Sequence, residues 1–307
     1  MHAEAPVPAP PEVYNTPLNE DLVRLEIARE GAKIPIDGRV ENIDSYTGPR
    51  EFDVVVDFRD LFVKKGIWAS LVPWRERWHS LNTPDGIAIL GFYDPEVAGA
   101  IEEISWIAAK DFYGDEDDCV RYYNLNKFVF QRMAERTGLR RNRTEFLGLI
   151  RAGVVAGEML GISADEQILI QTKRLHLIGE KPGEIAIGIT PEDRERLRDI
   201  DGKHLLIADP AGATYGSVIG NLIYLRHLGI KPSRVSIWNT VASHKGSLFA
   251  LEAMKALGIE GEIFAGGYSP SLNSRYYLET EAGGPSVRDA GDGLDRFLPE
   301  RLRLRTI

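Results

Sequence analysis

The chain is poor in cysteine, in positive charge and in long apolar runs, and each shortage excludes a class of protein. Cys119 is the only cysteine in 307 residues, which rules out an intrachain disulfide framework and any cysteine-clustered zinc or iron–sulfur site. A reducing, cytoplasmic setting is the expectation. Lys and Arg number 37 against 46 Asp and Glu, a formal charge of -9, so neither a broad basic surface nor a nucleic-acid partner is expected. No stretch approaches the ~18–20 consecutive apolar residues of a membrane-spanning helix, so no membrane partner is expected either. No repeat recurs at solenoid or propeller periods. A chain this long can bury a core without metal or disulfide staples.

Three regions differ in texture. Residues 1–17 contain five prolines and no charged segment leading into an apolar one, the composition of a disordered or polyproline-like tail rather than a leader. Residues 18–118 are irregular: the pattern predicts a helix over Leu18–Glu30, strands over Phe52–Val56 and Ile87–Phe92, and a helix over Pro95–Lys110. This additional N-terminal α+β region has no role that its residues disclose. Trp68, Trp74 and Trp78, with arginines between them, read as a core or subunit-contact anchor rather than a ligand platform. The acids Asp115 to Asp118 read as a helix start or a solvated loop, since their spacing matches no calcium loop. Asp53, Asp57 and Asp60 around a Val-rich strand decide nothing.

Residues 119–307 alternate regularly. Helices are predicted over Tyr122–Thr137, Val154–Gly161, Ser217–Leu228 and Lys245–Leu257. Strands are predicted over Glu145–Ile150, Gln167–Thr172, Glu184–Ile189, His204–Ala208, Arg234–Asn239 and Glu262–Ala265. Short apolar strands between helices indicate βαβ units, hence an α/β fold with a parallel sheet flanked by helices.

The most informative segment is His204-Leu-Leu-Ile-Ala-Asp-Pro-Ala-Gly-Ala-Thr-Tyr-Gly-Ser217. An apolar strand delivers Asp209 to its carboxyl end, and a small-residue loop with hydroxyls then runs into a helix. Such a loop offers backbone N–H groups to an anion. It is neither a Walker loop, which needs Lys and Ser or Thr after its second Gly, nor a three-glycine dinucleotide fingerprint.

This segment resembles the PRPP loop of the type I phosphoribosyltransferases, and its Asp-Pro form looks most like the uracil phosphoribosyltransferase branch. Further segments match in the family's order, over about residues 147–296. Leu149-Ile-Arg-Ala-Gly153 is similar to the pyrophosphate-binding loop, and Gln171-Thr-Lys-Arg174 to the strand that ends in an Arg of the hood. Ser271-Leu-Asn-Ser-Arg-Tyr-Tyr277, followed by Pro285-Ser-Val-Arg-Asp-Ala-Gly-Asp292, is similar to the uracil enzymes' base-binding region.

The resemblance implies displacement of pyrophosphate from PRPP by a heterocyclic acceptor, with Mg2+ held through PRPP and water rather than directly by protein ligands, and with Asp289 near the base and that water shell. It implies a catalytic set of Asp209, Arg151 and Asp289. Asp209, Ala213, Thr214, Tyr215, Gly216 and Ser217 would bind the ribose 5-phosphate. Arg151, Ala152, Gly153, Lys173 and Arg174 would bind pyrophosphate, and Tyr277, Leu278, Val287, Arg288 and Asp289 the acceptor. Family members are commonly dimers or larger, which implies a homo-oligomer.

Departures from the family concentrate in the base half. Tyr215 stands where the PRPP loop normally has Gly, inserting a side chain where the backbone must approach a phosphate. Ser269 replaces an acid, Arg288 replaces a Gly, and the stretch between Tyr277 and Pro285 is longer within Glu279 to Gly284. These argue against plain uracil salvage and for a specialised acceptor, as in modified-nucleoside biosynthesis. Arg288 suits an acceptor with a carboxylate or an anionic ring oxygen; pairing with Glu279 or Glu281 is an equal structural reading. A PRPP- or nucleotide-sensing regulator on the same fold, without turnover, is the alternative, with Tyr215 its main support. Another nucleotide-binding α/β fold, such as a methyltransferase, ranks last.

Overall fold

The structure, a computed structural model, describes residues 24–27, 54–57, 81–82, 88–91, 95–109, 115–174, 184–269, 271–272, 278–279, 286–287, 294–299 and 302. The proline-rich stretch of residues 1–17 and the three tryptophans Trp68, Trp74 and Trp78 lie outside these residues.

Ten strands form one sheet among the described residues. In chain order they are β1 (Arg24–Ile27), β2 (Val54–Asp57), β3 (Leu81–Asn82), β4 (Ala88–Gly91), β5 (Thr144–Ile150), β6 (Ile168–Arg174), β7 (Glu184–Ile189), β8 (His204–Gly212), β9 (Arg234–Ser243) and β10 (Gly261–Ser269). Six of them, in the spatial order β6-β5-β8-β9-β10-β4, run parallel. On one side β7, β2 and β1 follow, and on the other β3, all antiparallel to their neighbours. Strands from residues 18–118 thus form both outer edges of the sheet.

The centre is apolar because its strands are covered on both faces. Leu205 to Ala208 of β8 are fully buried, as are Val235 and Ile237 of β9. The helices are α1 (Pro95–Ala109), α2 (Glu116–Thr137), α3 (Ala152–Met159), α4 (Pro191–Arg196), α5 (Gly216–His227) and α6 (His244–Ala256). α1, α2 and α3 pack together over β10, β9, β8 and β5, and α5 packs on α6, which covers β9 and β10. The mostly parallel sheet flanked by helices is the α/β architecture that the alternating pattern predicts.

Local chemistry explains the boundaries. α2 starts earlier than the periodicity alone indicates because Asp115 caps it, its carboxylate accepting the Asp118 N–H at 3.1 Å, and Glu116, Asp117 and Asp118 fill the first turn. Acids there meet the positive end of the helix dipole. The acidic cluster is thus a helix start. Cys119, Tyr122, Asn126, Val129, Phe130 and Met133 recur at helical spacing and are the buried face of α2.

Two local readings need correction. The helix over Leu18–Glu30 fails where it is described, because Arg24–Ile27 is a strand paired antiparallel with β2. Its Arg-Leu-Glu-Ile order alternates polar and apolar, which fits a strand partner better than a helix face. β7 has the predicted bounds but returns antiparallel, since residues 175–183 are too few for the crossover of roughly a dozen residues or more that a parallel return needs. The short α4 was not anticipated. It starts at Thr190, whose hydroxyl oxygen accepts the Asp193 N–H at 3.1 Å, with Pro191 in its first turn.

Candidate active site

The strand order reverses between β5 and β8. From β5 the chain crosses through α3 to β6 on one side, whereas from β8 it crosses through α5 to β9 and through α6 to β10 on the other. Right-handed crossovers in opposite directions leave a crevice where they part. β5 and β8 are in register at Thr144 with His204, Glu145 with Leu205 and Phe146 with Leu206. Past that point β5 keeps its ladder to β6 as far as Ile150 with Gln171, and β8 keeps its ladder to β9 as far as Gly212 with Ala242. Two carboxyl ends therefore open onto one gap, the place where open α/β sheets take ligands.

The two turns singled out in the sequence flank this gap. Arg151 follows β5 directly, half-buried at the start of α3, with its carbonyl accepting the Val154 N–H at 3.1 Å. The Ile150–Arg151 peptide is cis. Ala152 and Gly153 are buried. A β-carbon on Gly153 would lie 3.1 Å from the Ala208 carbonyl oxygen, so the start of α3 rests on β8 one residue before Asp209. Only a residue without a side chain allows that approach comfortably.

Asp209 is half-buried. Its Oδ1 accepts the Ala211 N–H at 3.0 Å, and its carbonyl accepts from Asn239 Nδ2 at 2.8 Å. Asn239 is also its register partner on β9. The loop then turns into α5 through Thr214, whose Oγ1 accepts the Gly216 N–H at 3.3 Å. Ala213 and Ser217 are partly exposed, and Thr214 and Gly216 are buried. The first turn of any helix leaves N–H groups without intrahelical acceptors, so the α5 start is suited to an anion.

Tyr215 is the unexpected member of the loop. Its φ is 58°, the left-handed region, which explains why a Gly is the ordinary occupant. The side chain is directed away from solvent. It is 5% exposed and turns inward, its hydroxyl donating to Asn239 Oδ1 at 2.7 Å and lying 3.1 Å from Ser247 Oγ on α6. Gly212 makes room for it: a β-carbon there would sit 2.6 Å from Tyr215 Cζ and 2.7 Å from Asn239 Oδ1. Burial pushes the phenol above its usual range, the Ser247 hydrogen bond pulls it back in part, and the Asp209 charge pushes it up further. The hydroxyl therefore keeps its proton and remains a donor.

A second tie comes from the β9–α6 junction. Ser243 Oγ donates to the Ala213 carbonyl and accepts the Gly246 N–H at 3.0 Å, while Ser247 Oγ donates to the Ser243 carbonyl at 2.8 Å. Asn239, Ser243 and Ser247 were not anticipated as site residues. The available signal was a set of polar residues at the end of an otherwise apolar buried strand.

Lys173 and Arg174 continue β6 past the end of β5 and pair with Ala186 and Ile185 of β7. Leu278 lies in β12 (Leu278–Glu279), between β11 (Ser271–Leu272) and β13 (Ser286–Val287) in a small antiparallel sheet, and pairs with Val287. Its side chain is buried. Asn273, Tyr277, Arg288 and Asp289 lie outside the described residues. Among the described residues no three or more His, Cys, Asp or Glu side chains gather as metal ligands, and no helix is long and apolar enough to cross a membrane.

No family model matches the chain. Among solved structures it is similar to a protein of Aquifex aeolicus, at 20% identity and a TM-score of 0.47, covering 67% of this chain and 96% of that one. It is also similar to an adenine phosphoribosyltransferase of Trypanosoma brucei in complex with AMP, pyrophosphate and ribose-5-phosphate, at 10% identity and a TM-score of 0.41, covering 62% of this chain and 87% of that one. An orotate phosphoribosyltransferase of Mycobacterium tuberculosis in complex with PRPP is similar at 14% identity and a TM-score of 0.35, covering 57% of this chain and 96% of that one.

Proposed function

We propose that the chain transfers the 5-phosphoribosyl group of PRPP to a heterocyclic, nucleobase-like acceptor and releases pyrophosphate. The observation that carries this reading is the pairing of two turns across the β5–β8 gap. One presents Arg151 with the main chain of Ala152 and Gly153; the other presents Asp209 and then the turn that opens α5.

Each group suits one part of the donor. Arg151 supplies a fixed charge with a planar fork for pyrophosphate oxygens. Thr214, Gly216 and Ser217, with the α5 start, hold the 5′-phosphate. Asp209 accepts hydrogen bonds from the ribose hydroxyls and lends negative charge to a ring that becomes oxocarbenium-like. As the bond from the anomeric carbon to pyrophosphate breaks, its electrons leave on pyrophosphate, where Arg151 and the N–H groups bind the growing charge more tightly than the ground state. The acceptor's lone pair forms the new bond, and its proton passes to solvent or pyrophosphate. Lys173 and Arg174, on the strand that overruns β5, would close over the leaving group. Tyr215, turned inward, contributes its backbone to the phosphate turn.

Mg2+ fits this site in one form. Among the described residues a single half-buried carboxylate, Asp209, lies at the gap, which suits an ion that keeps most of its water and arrives with the pyrophosphate rather than one caged by protein oxygens. Bound there it would neutralise charge on the pyrophosphate.

The acceptor side rests on Tyr277, Leu278, Val287, Arg288 and Asp289. Arg288 favours an acceptor with a carboxylate or an anionic ring oxygen, so Arg288→Gly should remove any preference for acidic over neutral heterocycles. An unchanged preference would sink that refinement alone. The donor side is tested by calorimetric titration with PRPP and Mg2+: Arg151→Ala should weaken binding by about tenfold to a hundredfold, the worth of a hydrogen-bonded charge contact. Equal affinity in wild type and variant would remove Arg151 from the site.

A further inference from the structure

We infer that Tyr215 is a positioning residue for the proposed transfer, holding Asp209 and the turn after it in place through Asn239. The inference rests on the transferase reading and adds to it a residue that the loop's ordinary glycine does not provide.

The route is short, and it runs from buried Tyr215 through buried Asn239 to half-buried Asp209. Asn239 is 1% exposed and has one carbonyl oxygen and one amide nitrogen on its side chain. The oxygen accepts the Tyr215 hydroxyl at 2.7 Å, and the nitrogen donates to the Asp209 carbonyl at 2.8 Å. The Asp209 carbonyl can only accept, so it selects the amide's orientation, and the Tyr215 proton then satisfies the buried oxygen. Flipping the amide would set an acceptor against an acceptor at Asp209 and leave the Tyr215 proton without the amide oxygen. Because Asp209 opens the loop and Tyr215 closes it, the amide ties the two ends together.

Other contacts hold the same loop to the same support. Ser243 Oγ donates to the Ala213 carbonyl, and Ser247 Oγ lies beside the Tyr215 hydroxyl at 3.1 Å. A side chain at a left-handed position costs backbone energy that a glycine would not. Its return here is the anchored geometry. Without the hydroxyl, Asn239 Oδ1 loses its buried donor, and the amide's hold on the Asp209 main chain loosens. PRPP affinity should then change little, because the groups proposed for its phosphates, Arg151, Thr214, Gly216 and Ser217, are all retained, while turnover should suffer.

The test compares wild type with Tyr215→Phe, with Ser247→Ala as a second variant that leaves the ring in place should the first fold poorly. Two readouts are taken: hydrogen–deuterium exchange of residues 209–217, and kcat and KM for PRPP in the presence of Mg2+ and an accepted heterocycle. Loss of one buried hydrogen bond predicts exchange about tenfold faster and kcat about tenfold lower in Tyr215→Phe, with KM within about twofold, and smaller changes of the same kind in Ser247→Ala. In an Asp209→Asn background Tyr215→Phe should add almost nothing, since it acts through that residue. Unchanged exchange, or a kcat loss that multiplies with Asp209→Asn, would overturn the inference. A wild-type protein that binds no PRPP would overturn the transferase reading instead, and the exchange comparison would then decide the anchor by itself.

Discussion

Gly212→Ala is the substitution most sensitive to how the phosphate turn is built. The new methyl would press on the Tyr215 hydroxyl and lie 2.6 Å from its Cζ and 2.7 Å from Asn239 Oδ1, well inside the ~3.5–4.0 Å at which carbon contacts are favourable. Overpacking of this kind costs roughly 1–3 kcal/mol. Most of the crowding belongs to one side chain, so the cost should depend on it. Tyr215→Gly alone should destabilise: relief of the left-handed backbone returns about 1–2 kcal/mol, whereas loss of a buried aromatic ring costs about 3–5 kcal/mol. With the ring gone and Asn239 free to rotate, adding Gly212→Ala should cost about 0–0.5 kcal/mol, the usual scale of a substitution that meets no special feature. Urea unfolding of the wild type, both single variants and the double variant gives the coupling, expected at roughly 1–3 kcal/mol. If Gly212→Ala costs the same in both backgrounds, Tyr215 does not pack over Gly212 and the inward placement is wrong.

Two further positions probe the sheet that carries the site. Half-buried His204 lies between Thr144 Oγ1 at 3.2 Å and Ser236 Oγ at 2.7 Å; burial lowers its pKa, Arg234 lowers it further and Glu262 opposes them. The Lys203–Glu145 ion pair lies alongside, between the residue before β8 and β5. A lowered folded-state value means that this stabilisation is complete above the unfolded value of ~6.5 and is lost as the pH falls through the folded one. The urea midpoint should therefore drop between pH 7.5 and pH 5, and drop less in His204→Gln; an equal drop would exclude His204 as the cause. Buried Asp193 accepts the Leu169 N–H at 3.2 Å and the Thr190 hydroxyl at 2.6 Å. Asp193→Ala orphans a main-chain donor in β6 and should cost about 1–3 kcal/mol in urea unfolding, with Asp193→Asn recovering part; a cost near zero would mean that water replaces the carboxylate.

The alternation of apolar strands and helices over residues 144–265 was legible because both faces of the sheet are covered, and so were the Arg151 and Asp209 turns, because helix starts after apolar strands have a local signature. Strand direction was not. Periodicity is the same whether a strand runs up or down, so β7 read as one more strand of a parallel sheet. Arg24–Ile27 misled for a different reason: four residues of alternating character inside a longer polar-apolar stretch satisfy a helical pattern as well as a strand. Tyr215 shows the limit most clearly. Its position marked it as an intruder in a phosphate loop, but the direction of its ring is set by Gly212, Asn239 and Ser247, contacts that form only when β8, β9 and α6 come together.

Release of pyrophosphate from PRPP, followed in the presence of Mg2+ across pyrimidines, purines and acidic heterocycles with Asp209→Asn alongside, tests the transferase most directly. Acceptor-dependent release by the wild type, lost in Asp209→Asn, is the predicted result. Release at the same rate in both proteins, or PRPP that binds and stays intact with every acceptor, would contradict it.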